Sequence, residues 1–302
     1  MKLLKKLCSI HAPSGEENRI SEFIIDYVNS NMHNWKVKPK IYSGDGFQDS
    51  IILSFGKPKT AIYAHMDSIG FTVKYNNEII KIGGPVVKNG IELIGSDSKG
   101  KVEGKIIKKN EKIFIDFKRE IDRGTSLTFK MNFKESKDYI QSSYLDNRLG
   151  VWNALKVAEN LENGIIVFSC WEEHGGGSVG FLTNFIHTKY NISQALISDI
   201  TWVTEGVKAG KGVVISLRDS GIPRRSFVNK IITVAKSHNI NYQLEVESSG
   251  GSDGNEIQRS PYAIDWCFIG AAEQNVHSPK EKVHKDDIKS MVEIYEMLMK
   301  EL

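Results

Sequence analysis

Residues 62–71, Ile-Tyr-Ala-His-Met-Asp-Ser-Ile-Gly-Phe, join a short apolar run to a glycine turn through a His-x-Asp pair. The run at 61–64 has the length and the Tyr and Ile content of a buried strand, and Gly70 marks a turn. We therefore expect His65 and Asp67 at the carboxyl end of a strand, where open α/β sheets place ligand and catalytic groups. Because side chains alternate along a strand, both point to one side, which suits a metal-binding imidazole oriented by a carboxylate. A strand end with two polar residues is the alternative, and it is the commoner explanation of an isolated His-x-Asp pair.

Further acids and a histidine lie at other predicted strand ends and loops. They are Asp146, Glu172, Glu173, Asp199 and His277. Two neutral imidazoles and three carboxylates, one of them bridging, would offset most of the charge of two divalent ions. The order His-x-Asp, Asp, Glu-Glu, Asp, His therefore predicts a two-metal site.

Each of these residues also has an ordinary structural explanation. Asp146 precedes a helical pattern and could be its N-cap, and His277 could be solvated in its turn before a proline. Glu172 and Glu173 could form a solvated acidic turn before the glycine-rich loop. Two adjacent carboxylates after a buried strand repel each other, however, and are costly unless something positive holds them. If a metal binds one, the other is free to act as a general base.

Composition places the chain among globular proteins of 302 residues with 40% hydrophobic content, enough for one large domain or two. A net charge of +3, with no basic stripe interleaved with aromatics, argues against a nucleic-acid partner. Cys8, Cys170 and Cys267 have no metal-ligand spacing and are expected to be reduced core thiols. The first ten residues lack an uninterrupted apolar segment, and no stretch reaches transmembrane length. We therefore expect a cytoplasmic protein without a membrane partner.

The amino-terminal residues predict an α/β beginning. Residues 3–10 have the pattern of a short helix, and Ser14 with Glu17 has the spacing of a capping box that opens a second helix. Strands are expected at 35–42 and 51–55, before the strand that carries His65.

The residue pattern changes over residues 70–139. Glycine and asparagine turns, including Gly83-Gly84-Pro85, separate short runs, and apolar side chains alternate with polar ones from Leu127 to Phe133. No helical period is present. This pattern predicts an inserted all-β domain, in the form of a small barrel, within a catalytic domain of residues 1–69 plus 140–302.

Strands and helices alternate after residue 146. We expect helices near 149–158, 179–187, 225–238 and 287–300, with strands at 165–170, 195–200, 213–217, 242–246 and 263–269. Central strands that are apolar on both faces indicate a mostly parallel or mixed sheet covered by helices on both sides. The fold class is therefore α/β with an inserted all-β domain.

Taken together, the motifs carry a resemblance to a known family. Ala-His-Met-Asp-Ser-Ile-Gly-Phe, Leu-Asp-Asn-Arg-Leu-Gly, Glu-Glu, Ser-Asp-Ile-Thr, Gly-Lys-Gly, Gly-Gly-Ser-Asp and His-Ser-Pro occur in this order. The sequence resembles the M42 family of metalloaminopeptidases, a glutamyl aminopeptidase and TET-like group with a zinc-peptidase fold. The resemblance covers nearly the whole chain, including the position of the β insertion.

This resemblance implies a role for each candidate residue. His65, Asp199 and one oxygen of Asp146 would bind one metal ion, and Glu173, His277 and the other Asp146 oxygen a second. Glu172 would be the general base, and Asp67 would orient His65. The cofactors would be two divalent ions per chain, zinc or cobalt, and the β insertion would form contacts in a homo-oligomer ranging from a dimer to a dodecamer.

Two positions depart from the family pattern. Asn147 stands where the family usually has a second Asp, and residues 273–275, Glu-Gln-Asn, lack the usual Arg-Tyr before the Val-His pair.

The favoured hypothesis is an aminopeptidase that removes N-terminal residues from short peptides by attack of metal-activated water. One alternative is a deacylase or carboxypeptidase of the wider group of co-catalytic metallopeptidases. The all-β sequence pattern of the insertion argues against it. The other is a non-catalytic assembly scaffold, which would ordinarily have lost at least one ligand.

Overall fold

The computed structural model describes residues 1–302 and contains seven α-helices and seventeen strands. The helices are α1 (Lys2–Cys8), α2 (Asn18–Asn31), α3 (Leu145–Ala158), α4 (Val179–Tyr190), α5 (Arg225–Ser237), α6 (Asp253–Arg259) and α7 (Lys285–Glu301). The strands are β1 (Lys40–Tyr42), β2 (Ile51–Phe55), β3 (Thr60–His65), β4 (Gly70–Val73), β5 (Ile79–Ile82), β6 (Glu92–Asp97), β7 (Gly100–Lys109), β8 (Lys112–Asp116), β9 (Ser126–Phe129), β10 (Lys134–Glu135), β11 (Tyr139–Ser142), β12 (Gly164–Ser169), β13 (Gln194–Trp202), β14 (Val213–Arg218), β15 (Tyr242–Val246), β16 (Asp265–Gln274) and β17 (Glu281–His284).

The main sheet has eleven strands and is mixed. Its path is β1-β2-β12-β3-β13-β16-β17-β11-β10, and β14 and β15 extend from β16. The four central strands β12, β3, β13 and β16 run parallel, whereas β1, β2, β17, β11 and β10 pair antiparallel with their neighbours. The α/β class with a mixed sheet is confirmed, and the parallel part is confined to the centre, with one further parallel pair, β14 and β15, at the edge.

Helices cover both faces of this sheet, and the alternation of β3 shows how the chain fills both layers. Ile62 and Ala64 belong to a core cluster of 47 buried residues that includes side chains of α1, α2, α3, α5 and α7. Ala61 and Tyr63 belong to a second cluster of 14 buried residues with side chains of α4 and α6. An apolar strand without polar alternation is therefore buried on both sides, as its sequence indicates.

The second sheet is antiparallel and has six strands in the order β5-β4-β9-β6-β7-β8. Its edge strands approach each other through one bridge, between Glu78 and Phe114, so the sheet is an almost closed barrel. Twelve buried residues form a separate core here, among them Phe71, Phe129 and Tyr144. The alternating pattern after residue 126 contributes the wholly buried β9, after which β10 returns to the main sheet.

Several local expectations are wrong in instructive ways. The strand expected at 35–42 is only Lys40–Tyr42, and the sequence pattern missed α6 and β17. The capping box is absent, because α2 begins at Asn18 and no side chain caps it. Instead, Ser14 donates a hydrogen bond to Asp67 after β3, and Glu17 accepts one from the backbone N–H of Trp171 after β12.

No helix combines the length and the apolar character that crossing a membrane requires.

Candidate metal centre

The parallel register of β3 and β13 places His65 and Asp199 side by side on neighbouring strands. Tyr63 on β3 pairs with Ile197 on β13, so His65 and Asp199 lie at equivalent positions two residues further on. Asp199 was expected at the end of its strand, but β13 continues to Trp202 along β16. The pairing with β3 stops at Ile197, and the sheet opens there into a cleft.

Asp146 lies between the two histidines. Its Oδ1 is 3.3 Å from Nε2 of His65, and its Oδ2 is 3.2 Å from Nε2 of His277. On the His65 side, Oδ2 of Asp199 is 3.6 Å from the same Nε2. On the His277 side, Oε2 of Glu173 is 3.3 Å from Nε2. Each oxygen of Asp146 thus faces a different imidazole.

These contacts form two groups of three donors, and Asp146 belongs to both. One consists of His65, Asp146 and Asp199, and the other of Asp146, Glu173 and His277, with the donor atoms of each group within 4.8 Å of one another. Each group has the donor types and the spacing of a candidate metal site. The structure therefore brings all five sequence-predicted ligand candidates into one cleft.

Asp67 connects the first group to the Glu172–Glu173 turn. Its Oδ1 lies 3.3 Å from Nδ1 of His65 and accepts a hydrogen bond from the backbone N–H of Glu172 at 3.1 Å. Its Oδ2 accepts from the N–H of Glu173 at 3.1 Å and from the Ser14 hydroxyl at 2.6 Å. One buried carboxylate thus contacts an imidazole, the backbone N–H groups of both adjacent acids and the hydroxyl of Ser14.

The backbone around Asp146 is held by two buried polar side chains. Oε2 of Glu281 accepts hydrogen bonds from the N–H groups of Leu145, at 2.6 Å, and Asp146, at 3.3 Å. Asn147 donates through Nδ2 to the carbonyl of Ser198 and accepts at Oδ1 from the N–H of Gly150, each at 2.9 Å. Asp146 does not cap α3. An Asp at position 147 could not donate to Ser198, so the departure at Asn147 has a direct structural use.

Burial and like charge dominate the electrostatics of the cleft. Burial raises the pKa of Glu172 to about 8, and it raises the pKa values of Glu173 and Asp199 well above their ordinary range. Burial alone would lower the pKa of His65, but Asp199, Asp146 and the other surrounding carboxylates outweigh it and raise that pKa well above its ordinary value. Burial therefore disfavours the charged forms of Glu172, Glu173 and Asp199. In contrast, His277 and His65 hold the pKa of Asp146 below its ordinary range although burial opposes this.

Glu172 faces the same space as the donor groups. Its Oε2 is 3.8 Å from Nε2 of His65, and it lies in a short 3₁₀ turn directly after Trp171. Glu173, in the same turn, contacts His277 instead. The two neighbouring acids thus point to different parts of the cleft, so they are available for different roles.

A turn of the inserted sheet approaches the centre closely. A Cβ atom on Gly83 would lie 3.0 Å from Oε2 of Glu173, and one on Gly84 would lie 3.0 Å from Nδ1 of His277. Gly83 also has a positive φ of 67°. In the sequence these glycines were recognised only as a turn, and their adjacency to the centre depends on how the two sheets pack.

The candidate ligands line a cavity of about 290 Å³, and three further acids line the same cavity. We call Asp219, Glu245 and Glu247 the acidic wall. None of them was a sequence-predicted site residue. Asp219 follows β14, and the other two lie in and after β15, segments with no motif that links them to the His-x-Asp pair.

Comparisons with known proteins agree with this architecture. Residues 96–294 match the protein family described as M42 glutamyl aminopeptidase. A protein of Acetivibrio thermocellus, named as a candidate aminopeptidase, is 29% identical over 325 residues, covering 97% of this chain and 96% of the relative.

Two solved structures share the fold. An aminopeptidase from the archaeon Desulfurococcus kamchatkensis superposes with a TM-score of 0.89 at 22% identity, covering 100% of this chain and 94% of the other. The Pyrococcus horikoshii TET1 peptidase, which can assemble into a tetrahedron or a large octahedral shell, has a TM-score of 0.83 at 24% identity over 100% of this chain and 99% of its own. At these identities the likeness establishes the fold.

Proposed function

Because the chain belongs to the M42 glutamyl aminopeptidase family, we propose that it is a two-metal aminopeptidase that removes N-terminal residues from short peptides. One observation carries this proposal. Asp146 directs its two carboxylate oxygens at two different imidazoles, and a further carboxylate completes each group of donors.

The donor set fits a pair of divalent cations. Asp67, Asp146, Glu172, Glu173 and Asp199 crowd around two imidazoles, and no lysine or arginine forms an ion pair with any of them. Oε1 of Glu173 is buried without a hydrogen-bond partner. Buried, unpaired carboxylates are strongly unfavourable unless a cation binds. Imidazole nitrogens with carboxylate oxygens suit zinc or cobalt.

We assign the ligands to two positions. His65, Asp199 and Oδ1 of Asp146 would hold one ion, and Glu173, His277 and Oδ2 of Asp146 would hold the other. When bound, the ions polarise the scissile carbonyl and lower the pKa of a water molecule.

The remaining chemistry belongs to the side chains. Glu172 accepts a proton from the attacking water and returns it to the leaving amine, as a general base and then a general acid. Asp67 positions His65 through Nδ1 and fixes the turn of Glu172 and Glu173 through their backbone N–H groups.

We further propose that residues 70–139 act as an oligomerisation domain in a homo-oligomer. The alternating strand pattern and the assembly behaviour of the TET1 relative support this proposal, and restricted access would favour short peptides. Sedimentation at micromolar concentration should show a dimer or a larger assembly. Replacing residues 70–139 with a short Gly-Ser linker should reduce the assembly, and a monomeric wild-type chain would disprove the proposal.

The proposed activity is tested by metal analysis followed by a substrate panel. The purified full chain, reconstituted with zinc or cobalt, should bind two ions and hydrolyse aminoacyl arylamides, and a chelator should abolish the activity reversibly. N-acetylated versions of the same arylamides should not be cleaved, because a free N-terminus defines an aminopeptidase. Hydrolysis of acylated or C-terminal substrates alone would point to the deacylase or carboxypeptidase alternative.

A further inference from the structure

The acidic wall shares its cavity with the candidate metal ligands. Glu245 lies on β15, and its carboxylate accepts a hydrogen bond from the hydroxyl of Thr201. Thr201 follows Asp199 by two residues on β13, so both side chains point to the same face, roughly 6–7 Å apart along the strand. Through Thr201, Glu245 is therefore linked to the strand that carries Asp199, on the same face of the sheet.

The wall consists of acids that have no basic partner, and two of the three are buried. Glu245 is only 3% exposed and Asp219 only 7% exposed. Oε1 of Glu245 accepts a hydrogen bond from the hydroxyl of Thr201, and Oδ1 of Asp219 accepts one from the N–H of Gly221 at 2.5 Å. Neither acid forms an ion pair, and neither does Glu247, although all three line the cavity. Such carboxylates are unfavourable until a cation pairs with them.

Apolar residues also belong to the lining of the cavity. Ile200, Trp202 and Phe268 line the same cavity, and Trp202 is 43% exposed. A long side chain with an apolar stem and a cationic end matches this arrangement, because the stem packs on apolar surface while the charged end meets the acids. A volume of about 290 Å³ is near the lower end of the range for ligand pockets.

We propose that the acidic wall binds the cationic side chain of an N-terminal lysine or arginine, so that the enzyme prefers peptides with a basic first residue. This inference rests on the proposed aminopeptidase function and adds its substrate class. An N-terminal glutamate would place like charge against Glu245 and Asp219, so the glutamyl specificity in the family's description should not extend to this chain. Burial raises the pKa values of Asp219 and Glu245, consistent with acids that lack a paired cation.

The test compares lysyl, arginyl, leucyl and glutamyl arylamides on the metal-reconstituted full chain. We expect kcat/KM for the lysyl and arginyl substrates to exceed that for the leucyl substrate by about tenfold or more, with the glutamyl substrate lowest. Glu245→Gln should reduce hydrolysis of the lysyl substrate by about 10- to 100-fold and change that of the leucyl substrate by less than about threefold. Glu22→Gln, an exposed acid on α2, is the matched control and should leave all four rates unchanged.

Asp219→Asn provides a second variant in case Glu245→Gln disturbs β15, and metal content and melting temperature identify such a disturbance.

A binding readout avoids turnover altogether. Lysinamide should inhibit competitively at lower concentration than norleucinamide, and Asp219→Asn should remove most of that difference.

Two outcomes would overturn the inference while leaving the proposed function intact. One is a leucyl or glutamyl preference in the wild type. The other is an equal loss of kcat/KM for the lysyl and leucyl substrates in both variants. That result would mean that the acids bind a feature that both substrates share, such as the α-ammonium group. Failure to hydrolyse any of the four substrates would instead contradict the proposed function itself.

Discussion

The two ends of the cavity contain the same chemical group, buried carboxylates without a lysine or arginine partner, yet they differ in what surrounds those groups. At the end formed by β3 and α3, Asp146 lies within 3.3 Å of two imidazoles. At the acidic wall, Glu245 is bonded to a hydroxyl, and Asp219 is bonded to a backbone N–H group. The two histidines of the cavity, His65 and His277, form ion-pair contacts with the candidate ligands and Asp67 and Glu172, and with none of the three acids of the wall.

This difference separates two kinds of cation site. A metal ion needs several donor atoms converging on one point, including nitrogen donors for zinc or cobalt. An ammonium or guanidinium group needs only hydrogen-bond acceptors with negative charge along a wall, with apolar surface for its stem. Donor geometry, rather than the number of acids, therefore distinguishes the proposed catalytic end from the proposed specificity end.

The largest effect is expected from Asp146→Ala. Both donor groups lose their shared carboxylate, so binding of both ions should weaken together and kcat/KM should fall by about 10⁴-fold. Metal analysis and calorimetric titration of the metal-depleted protein measure this, with Asp26→Ala on the exposed face of α2 as the control. One ion retained at full affinity would show that Asp146 is not shared.

The adjacent acids of the catalytic end should respond differently from each other. Glu172→Gln should retain two ions and the wild-type melting temperature while kcat falls by about 10²- to 10⁴-fold, because an amide cannot accept the proton. Glu173→Gln should lose metal first, since Glu173 contacts His277 in the second donor group. Two fully metallated variants with equal losses of activity would refute this division of roles.

A smaller effect is expected from Asp67→Asn. Asp67 contacts His65 and both backbone N–H groups of the acidic turn but belongs to neither donor group. Metal affinity should therefore fall by about 10- to 100-fold without complete loss of binding. Competition with a chromophoric chelator measures the dissociation constants, and Asp26→Asn is the matched control. An unchanged metal affinity in Asp67→Asn would contradict the positioning role of Asp67.

The sequence was informative where local patterns decide the structure. The strands at 51–55 and 242–246 have the expected bounds, because apolar runs between turn residues specify short strands. The His-x-Asp pair, the Glu-Glu pair and the remaining candidate ligands were found because their residue types at strand ends and in loops suit metal chemistry. The predicted ligand roles themselves still await the metal measurements.

Local patterns misled where tertiary contacts compete for the same side chain. Ser14 and Glu17 have the spacing of a capping box, but Ser14 donates to Asp67, and Glu17 accepts from the backbone N–H of Trp171. A capping bond and a tertiary bond are similar in energy, about 1 kcal/mol each, so the wider environment selects between them.

By itself, the sequence determined the α/β class, the position of the β insertion and the residue types available for a metal centre, because periodicity and turn chemistry act within a few residues. Only the tertiary structure decided that the two oxygens of Asp146 face different histidines and that Gly83 and Gly84 lie against the second donor group. It also placed Asp219 and Glu245 in the same cavity as Asp199. The physical reason is that these distances depend on strand pairing and sheet packing between segments far apart in the chain, which no local pattern encodes.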